Sequence, residues 1–189
     1  MTGSPVGAMS QGPLTGIRIL EVGVMLAGPY ATMLLADLGA EVIKIEPPGG
    51  EISRQVSDSY FASLNRNKQS VCLDLRSDEG RQRLGELVAN SHALLVNMKP
   101  SAIKRLGLTY EALREFNERI VCVAMTGFGL DGGDDPAFDY VIQAATGVAA
   151  MTGDPSGPPA PARDAGPSRR ASTAGRPRPR IPSRPRAVP

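Results

Sequence analysis

Three cations lie close together in the segment NMKPSAIKRLG, residues 97–107: Lys99, Lys104 and Arg105. The apolar run before the segment is typical of a strand, and Pro100 is typical of the first position of a helix. The first N–H groups of a helix lack helical acceptors and attract anions, and nearby Lys and Arg side chains add positive charge. The segment therefore predicts binding of a ligand that carries phosphate. The alternative is that Lys104 and Arg105 only solvate the helix.

The first strand–helix turn is a second candidate, in this case for a dinucleotide. Gly23 closes an apolar run, and Glu46 follows 23 residues later, where a ribose-binding carboxylate would lie. However, the turn EVGVMLAGPY lacks the G-x-G-x-x-G spacing, and its Pro-Tyr pair is bulky where a pyrophosphate needs close approach of the backbone. The sequence therefore predicts no nicotinamide or flavin cofactor, and Glu46 is expected to be a surface acid at a strand end.

Cys72 and Cys122 both lie inside apolar, strand-like runs, SVCLDL and IVCVAM. They show no CxxC spacing, and His92 is the only histidine of the sequence. We therefore expect two buried thiols, and neither a metal site nor a disulfide.

Strand-like and helix-like patterns alternate along the chain. Strands are predicted at 17–23, 41–46, 69–75, 92–98 and 120–128, and helices at 29–39, 78–91, 100–107, 110–117 and 139–153. Ser77 is expected to cap the helix at 78–91, and Gly147 is expected to break the last helix. Such alternation predicts the α/β class, with a parallel sheet and flanking helices.

The sequence changes character near residue 160. Residues 1–159 hold 13 Lys and Arg against 18 Asp and Glu, a net charge of −5, whereas residues 160–189 hold 8 Arg against one Asp, a net charge of +7. Ile181 and Val188 are the only large aliphatic residues of the second part. It cannot bury enough apolar surface to offset the entropy of ordering, so we expect a disordered Arg/Pro-rich tail. Residues 1–12 are expected to be a flexible leader.

The sequence contains no apolar run that approaches the roughly 18–20 residues of a membrane span. Its first residues lack the charged and apolar regions of a signal peptide. We therefore expect a cytoplasmic protein without membrane contact.

Five blocks of the sequence resemble the N-terminal portion of the family III CoA-transferases, the group of formyl-CoA transferase, carnitine CoA-transferase and α-methylacyl-CoA racemase. The blocks occur in the family's order between residues 13 and 159: LTGIRILEVGVMLAGPYATMLLADLGAEVIKIEPPGG, NKQSVCLDLRSDEGR, LLVNMKPSAIKRLGL, AMTGFGLDG and FDYVIQAATGVAAMTGDPSGPP. The resemblance implies a Rossmann-like large domain that binds coenzyme A, incomplete here, over residues 13–159. It also implies an interlinked homodimer in the intact family.

The resemblance further implies which residues contact coenzyme A, as a substrate and without a metal. They follow the first and second strands, lie at the third strand, and continue from the fourth strand into the next helix: Met25, Leu26, Ala27, Pro47, Leu73, Asn97, Met98, Ala102, Lys104, Arg105 and Leu106. Some members carry an Arg where this chain has Pro47, which leaves more of the phosphate binding to Lys104 and Arg105. The cation cluster described above indicates the same segment.

The transferases of this family use an Asp carboxylate as nucleophile, forming first a mixed anhydride and then an enzyme–CoA thioester. A carboxylate suits this role because it is ionised at neutral pH without a base. The family spacing places this Asp at Ser168, and the neighbouring Asp164 lacks the surroundings of the motif. No catalytic residue is therefore assigned, and the chain is expected to be truncated before its nucleophile and inactive alone.

The racemase branch instead uses a His and an Asp at the carbon next to the thioester. The racemase His would align with Phe138, which is aromatic as in the transferases and is assigned to the substrate site. Asp139 either matches an acid of the motif or caps a helix. A racemase relative is thus an alternative to a transferase, and Phe138 disfavours it.

Two further interpretations concern residues 160–189. Alternating Arg, Pro, Ala, Gly and Ser is typical of a GC-rich reading frame translated out of phase, which suggests a frameshift near codons 159–163. The other interpretation is a non-catalytic CoA-binding fragment whose eight tail Arg residues bind nucleic acid or an acidic partner. Nucleic acid is the less favoured partner because a frameshifted tail would carry the same charge without selection for binding.

Overall fold

The computed structural model describes residues 12–152 and 157–159 of the chain. The chain divides into two compact units between Pro136 and Ala137. The predicted leader up to residue 11 and the predicted tail, with Asp164 and Ser168, lie outside the described residues. Within the described part, no helix combines the length and apolar character needed to cross a bilayer.

Five parallel strands form one sheet in the first unit, which confirms the predicted α/β class. They are β1 (Arg18–Val22), β2 (Glu41–Glu46), β3 (Lys68–Cys72), β4 (Ala93–Val96) and β5 (Val121–Ala124). Their order across the sheet is β3-β2-β1-β4-β5, so β1 lies at the centre. Both β4 and β5 end earlier than predicted, because their ladder ends at the pair of Val96 and Ala124.

The described part of the first unit, residues 12–136, contains six helices. They are α1 (Ala27–Asp37), α2 (Ser53–Val56), α3 (Asp58–Asn65), α4 (Asp78–Ala89), α5 (Pro100–Arg105) and α6 (Tyr110–Leu113). Two details of the prediction are confirmed: Ser77 Oγ accepts a 3.0 Å hydrogen bond from the Gly80 N–H at the start of α4, and Pro100 is the first residue of α5. Neither α2 nor α3 was predicted, because their short, mostly polar sequences carry no clear apolar period.

Helices cover both faces of the sheet, as expected for parallel strands. One apolar cluster joins the strands to α4, α5 and α6 through Leu20, Leu94, Val88, Ile103 and Leu113. On the other face, a smaller cluster joins them to α1 through Ile19, Val42, Ala36 and Ala40. Successive strand residues point to opposite faces, so adjacent Ile19 and Leu20 serve different clusters. The central strands are therefore apolar on both sides.

The second unit contains α7 (Asp139–Ala145) and a 3-10 turn at Val148–Met151. Gly147 separates them with a left-handed φ of 81°, which confirms the predicted break. The N-cap position belongs to Phe138, and Asp139 is the first helical residue. The alternative that Asp139 caps this helix is therefore wrong: its Oδ2 accepts a 2.8 Å hydrogen bond from the Gln143 side chain one turn later.

The two thiols differ in their surroundings. Cys122 is half-buried in β5, and burial raises the pKa of its thiol. Cys72 is exposed, so the prediction of a buried thiol at this position is wrong. It ends β3, which is an edge strand of the sheet. An edge strand has a neighbouring strand on one side only, and its last residue is less covered than a central one.

Candidate functional site

The candidate site lies at the carboxyl ends of the central strands. Strand β2 lies on one side of β1 and strand β4 lies on the other. The strand order of the sheet therefore reverses between β1 and β4. Open parallel sheets bind ligands in the crevice at such a reversal. The turn after β1 and the segment after β4 both belong to this edge. They contain Met25, Leu26 and Ala27, and Asn97 and Met98, respectively.

The turn between β1 and α1, together with the first residue of α1, presents three exposed residues in succession, Met25, Leu26 and Ala27. Met25 has a φ of 59°, a left-handed conformation that is uncommon for a residue other than glycine. The N–H of Met25 donates a 2.8 Å hydrogen bond to Oε1 of Glu51, which follows β2. This contact joins the loop after β2 to the turn after β1.

Asn97, predicted to contact coenzyme A, clamps the same turn. Its Oδ1 accepts a hydrogen bond from the Val24 N–H and its Nδ2 donates one to the Val24 carbonyl, both at 2.8 Å. A Cβ atom on Gly28 would lie 2.6 Å from Asn97 Oδ1, which explains the glycine at the start of α1. The side-chain amide of Asn97 is therefore engaged with the backbone of the turn.

Four buried charged side chains lie beneath the turn. Lys44 Nζ donates to Glu21 Oε1 at 2.7 Å and to the Gly23 carbonyl at 3.0 Å, and it lies 3.7 Å from Glu51 Oε2. Lys68 Nζ donates to Glu21 Oε2, also at 2.7 Å. Burial raises the pKa of Glu21, but the charges and hydrogen bonds of the two lysines outweigh it and hold the pKa below its usual value.

Glu46 is 3% exposed, so the prediction of a surface acid is wrong. Arg54 donates two hydrogen bonds to its carboxylate, at 2.6 and 2.7 Å, and Ser70 and the Glu51 N–H donate one each. Burial raises the pKa of Glu46, but these hydrogen bonds lower it to about 2. Both carboxylate oxygens are occupied within the chain, which leaves Glu46 unsuited to hold a ribose.

The segment after β4 carries the predicted cations, but an acidic loop already lies against it. Asp134 accepts hydrogen bonds from both the N–H and the hydroxyl of Ser101 at the start of α5. Lys104 Nζ lies 3.6 Å from Asp131 of the same loop. The Ser101 hydrogen bonds, with smaller contributions from Lys99 and Arg105, lower the pKa of Asp134. The start of α5, predicted to attract a phosphate, is thus occupied by a carboxylate of the chain itself.

The remaining predicted residues fall into three groups. Pro47 is exposed directly after β2. Leu73, Met98 and Leu106 are half-buried and pack against the larger apolar cluster, and Ala102 is half-buried in α5. Phe138 belongs to the second unit, where its exposed ring stacks on Tyr140 with centroids 5.9 Å apart.

The sequence profile described as CoA-transferase family III matches residues 14–165 of the chain. The chain belongs to this family. The match extends over parts of both units and ends before Ser168. It confirms the resemblance drawn from the five sequence blocks, and it identifies the chain with a family of transferases.

Known family members are similar to this chain over most of its length. A succinate–glutarate CoA-transferase of Agrobacterium fabrum is 37% identical over 163 residues, which cover 78% of this chain and 41% of that protein. A formyl-CoA:oxalate CoA-transferase of Streptomyces avermitilis is 41% identical over 155 residues, covering 77% of this chain and 38% of that protein. This family III chain therefore spans about two fifths of the length of these relatives.

A solved structure has the same fold. The crystal structure of a CAIB/BAIF family protein from Brucella suis superposes with a TM-score of 0.74 at 34% identity, over 79% of this chain and 43% of that one. The parallel sheet with flanking helices is thus the family III fold, present in part.

The group of buried charged side chains, Glu21, Lys44, Glu51 and Lys68, was not predicted for this family III chain, although the sequence contains a signal for it. Lys44 interrupts the apolar strand EVIKIE, and Glu21 stands in the strand RILEV. Charged residues inside buried strands of a parallel sheet are almost never left unpaired. The two strands therefore predict an ion pair, whereas its connection to Glu51 and the turn depends on how the loop after β2 folds.

Proposed function

We propose that this chain forms the coenzyme A-binding part of an enzyme that moves coenzyme A from an acyl-CoA thioester to a carboxylic acid. The observation that carries the proposal is the exposed turn Met25–Ala27 at the point where the strand order reverses. It lies at the sheet edge used by ligands of open α/β folds. Membership of CoA-transferase family III supplies the class of ligand.

The proposed contacts follow the predicted residues, with one change of emphasis. The turn Met25–Ala27 and Pro47 would face the ligand directly because their side chains are exposed. Asn97 would act chiefly by holding the turn, since its amide is bonded to Val24. Phosphate groups would bind Lys104 and Arg105, and this requires Lys104 to exchange its contact with Asp131 for the ligand.

The proposed reaction is exchange through an aspartyl thioester. An Asp carboxylate attacks the donor thioester carbonyl, which gives a mixed anhydride and the CoA thiolate. The thiolate then attacks the aspartyl carbonyl, which releases the donor acid and leaves an aspartyl–CoA thioester. The acceptor carboxylate repeats these two steps in reverse, so that the new acyl-CoA departs and the Asp carboxylate is restored.

Ser168 stands where that Asp is expected. A neutral hydroxyl is not ionised at neutral pH and forms an ester rather than an activated anhydride. We therefore propose that this chain binds coenzyme A without transferring it. The names of its relatives favour CoA transfer, rather than racemisation, as the reaction of the enzyme to which this chain would belong.

Titration calorimetry of the full chain with coenzyme A tests the proposal. We expect saturable binding, weakened about tenfold or more at low salt in the double variant Lys104→Ala, Arg105→Ala because both cations would contact phosphate. Arg119→Ala is the matched control: Arg119 is exposed in the turn that precedes β5, at the opposite edge of the sheet. A wild-type chain that releases no heat with coenzyme A and is not retained on a coenzyme A resin contradicts the proposal.

A further inference from the structure

Glu51 is a buried carboxylate whose oxygens are directed at two backbone segments. It is 2% exposed. Its Oε1 accepts hydrogen bonds from the Met25 N–H at 2.8 Å and from the Ser53 N–H at 3.0 Å, and its Oε2 accepts one from the Ser53 hydroxyl. Glu51 therefore belongs to the loop after β2 and serves the turn after β1.

Met25 depends on such a contact. A non-glycine residue with a φ of 59° persists only where its surroundings stabilise that conformation. On one side of Met25, Asn97 fixes Val24 through two hydrogen bonds. Glu51 fixes Met25 itself, so these two side chains determine where the exposed residues of the turn point.

Glu46 in turn determines the position of Glu51. The Glu51 N–H donates a 3.0 Å hydrogen bond to Glu46 Oε2, and Arg54 donates to both oxygens of the same carboxylate. The loop that begins at Pro47 is thus tied to the end of β2 by Glu46 and to the turn by Glu51. Both proposed ligand-facing segments are held by one chain of contacts.

Charge balance alone does not account for Glu51. Glu21 is shared by Lys44 and Lys68, each at 2.7 Å, so Glu51 is the second carboxylate beside these two lysines. Its Oε2 nevertheless lies 3.7 Å from Lys44 Nζ, farther than any of its hydrogen-bond donors. The short contacts of the Glu51 carboxylate are those to the N–H of Met25 and to the N–H and hydroxyl of Ser53. Its geometry is that of a hydrogen-bond acceptor for the backbone.

We infer that Glu51 is a positioning residue that fixes the Met25 turn, and with it the loop at Pro47, in the conformation that accepts coenzyme A. The inference rests on the proposed function for the identity of the ligand. The effect of Glu51 on the conformation of the turn does not depend on the proposed function, because the turn is present in the chain without ligand.

Three variants of the full chain test the inference. Glu51→Ala removes the acceptor of the Met25 N–H. Glu51→Gln removes the charge but keeps an oxygen for that N–H, and its amide can donate to the Ser53 hydroxyl. Val88→Ala is the matched control, because Val88 is fully buried in α4 and its truncation leaves a cavity without contact with the turn.

The first measurement is amide hydrogen exchange by NMR, residue by residue and without ligand. We expect the protection of the Met25 N–H to fall about 10-fold to 100-fold in Glu51→Ala, as for a lost hydrogen bond to a charged group. The N–H groups of Leu20 and Leu94 in the core should lose no more protection in Glu51→Ala than they lose in Val88→Ala. Glu51→Gln is expected to stay within about threefold of the wild type, because a neutral acceptor retains part of the bond. The second measurement is coenzyme A affinity by calorimetry, expected to fall about tenfold in Glu51→Ala only.

The outcomes separate the inference from the proposed function. Unchanged Met25 protection in Glu51→Ala overturns the inference, as does lost protection with unchanged coenzyme A affinity. A loss in Glu51→Gln equal to that in Glu51→Ala also overturns it, because the charge rather than the acceptor would then matter. If the wild-type chain binds no coenzyme A, the proposed function fails, and the Met25 exchange still decides whether Glu51 holds the turn.

Discussion

Glu46 shows how a buried carboxylate of this chain is stabilised in its charged form. Its carboxylate lies at the end of β2, and its two oxygens accept four hydrogen bonds, two of them from Arg54. A buried ion is costly unless it is paired and fully hydrogen-bonded, and Glu46 meets both conditions. The ionised form is therefore the stable one in the folded chain.

The pH dependence of stability should reveal this carboxylate. The pKa of Glu46 is about 2 in the folded chain against an ordinary 4.5, so its stabilisation is complete above pH 4.5 and is lost as the pH falls towards 2. Glu46→Gln should lower the free energy of unfolding at pH 7 by on the order of 2 kcal/mol, since Arg54 is partly exposed and water screens the pair. Urea unfolding at several pH values measures this difference.

Glu41→Gln provides the control for that series, because Glu41 lies on the same strand and pairs with Arg18 while both side chains are partly exposed. Its effect should be small at every pH. If the deficit of Glu46→Gln were the same at pH 7 and near pH 2, the assignment of the low pKa to Glu46 would be refuted.

Gly28 lies where the structure leaves no room for a side-chain Cβ atom. A Cβ there would lie 2.6 Å from Oδ1 and 2.9 Å from Cγ of Asn97. Gly28→Ala should therefore destabilise the chain by about 1–3 kcal/mol, the usual range for overpacking. Because the clash is with Asn97, the double variant with Asn97→Ala should be less destabilised than the sum of the two. Thermal unfolding of the four proteins measures the coupling, and strict additivity would contradict it.

At the scale of elements, the loop that contains Asp131 and Asp134 lies against α5 and affects how an anionic ligand could bind at the start of this helix. Pro100 starts the helix as its sequence predicts, but Asp134 accepts the hydrogen bonds of Ser101 and Asp131 lies close to Lys104. The loop thus supplies negative charge where the ligand of the proposed function would bring its own. Its acids would compete with the phosphate groups of the proposed ligand for the same cations.

Removing one of these acids should strengthen ligand binding. Asp131→Asn is expected to raise the affinity for coenzyme A about twofold to threefold at low salt, and the gain should disappear in high salt because exposed charges are screened. Glu118→Gln, an exposed acid in the turn before β5, is the control. Calorimetry at two salt concentrations measures the effect. Equal affinities of Asp131→Asn and wild type at low salt would remove Lys104 from the proposed phosphate contacts.

The whole molecule combines two parts of opposite character. Residues 1–159 carry a net charge of −5 and residues 160–189 one of +7, and the family match ends at residue 165. Apolar side chains of edge strand β5 are also uncovered: Val121 is 58% and Val123 41% exposed. An exposed, apolar strand edge favours association with other chains.

The full chain should not transfer coenzyme A. Ser168 cannot form the activated anhydride, so an acyl-CoA donor mixed with a dicarboxylic acid should give no product above a reaction without protein. Chromatographic separation of the CoA esters measures the product. Transfer above that background would contradict the assignment of the nucleophile position to Ser168.

The origin of residues 160–189 can be decided from the gene. If a frameshift lies near codons 159–163, one of the two other reading frames should continue the family pattern with an Asp near the position of Ser168. Translation of the nucleotide sequence in those frames is the measurement. If neither frame holds such a continuation, the Arg/Pro-rich sequence is not a frameshift product.

Much of the fold follows from local sequence patterns, and some of the site does not. The apolar runs at β1 and β2 predicted a parallel sheet, and Ser77 and Pro100 marked where α4 and α5 begin. In contrast, α2 and α3 are short and polar, so their position depends on contacts such as those of Glu46 with Arg54 rather than on periodicity. The predicted contacts to coenzyme A remain predictions, although Asn97 is hydrogen-bonded to Val24, the residue next to Met25 in the turn.

The sequence by itself determined the class of fold, through the alternation of strand-like and helix-like apolar patterns, and the family, through the resemblance of five sequence blocks to known members. Only the tertiary structure decided the roles of Glu46, Glu51 and Asp134. Each is an acid whose partners lie on other segments, 33 residues away for the contact of Asp134 with Ser101 and 26 for that of Glu51 with Met25. Whether a carboxylate is solvated, paired or bonded to a backbone N–H depends on burial and distance, and folding brings those partners within reach.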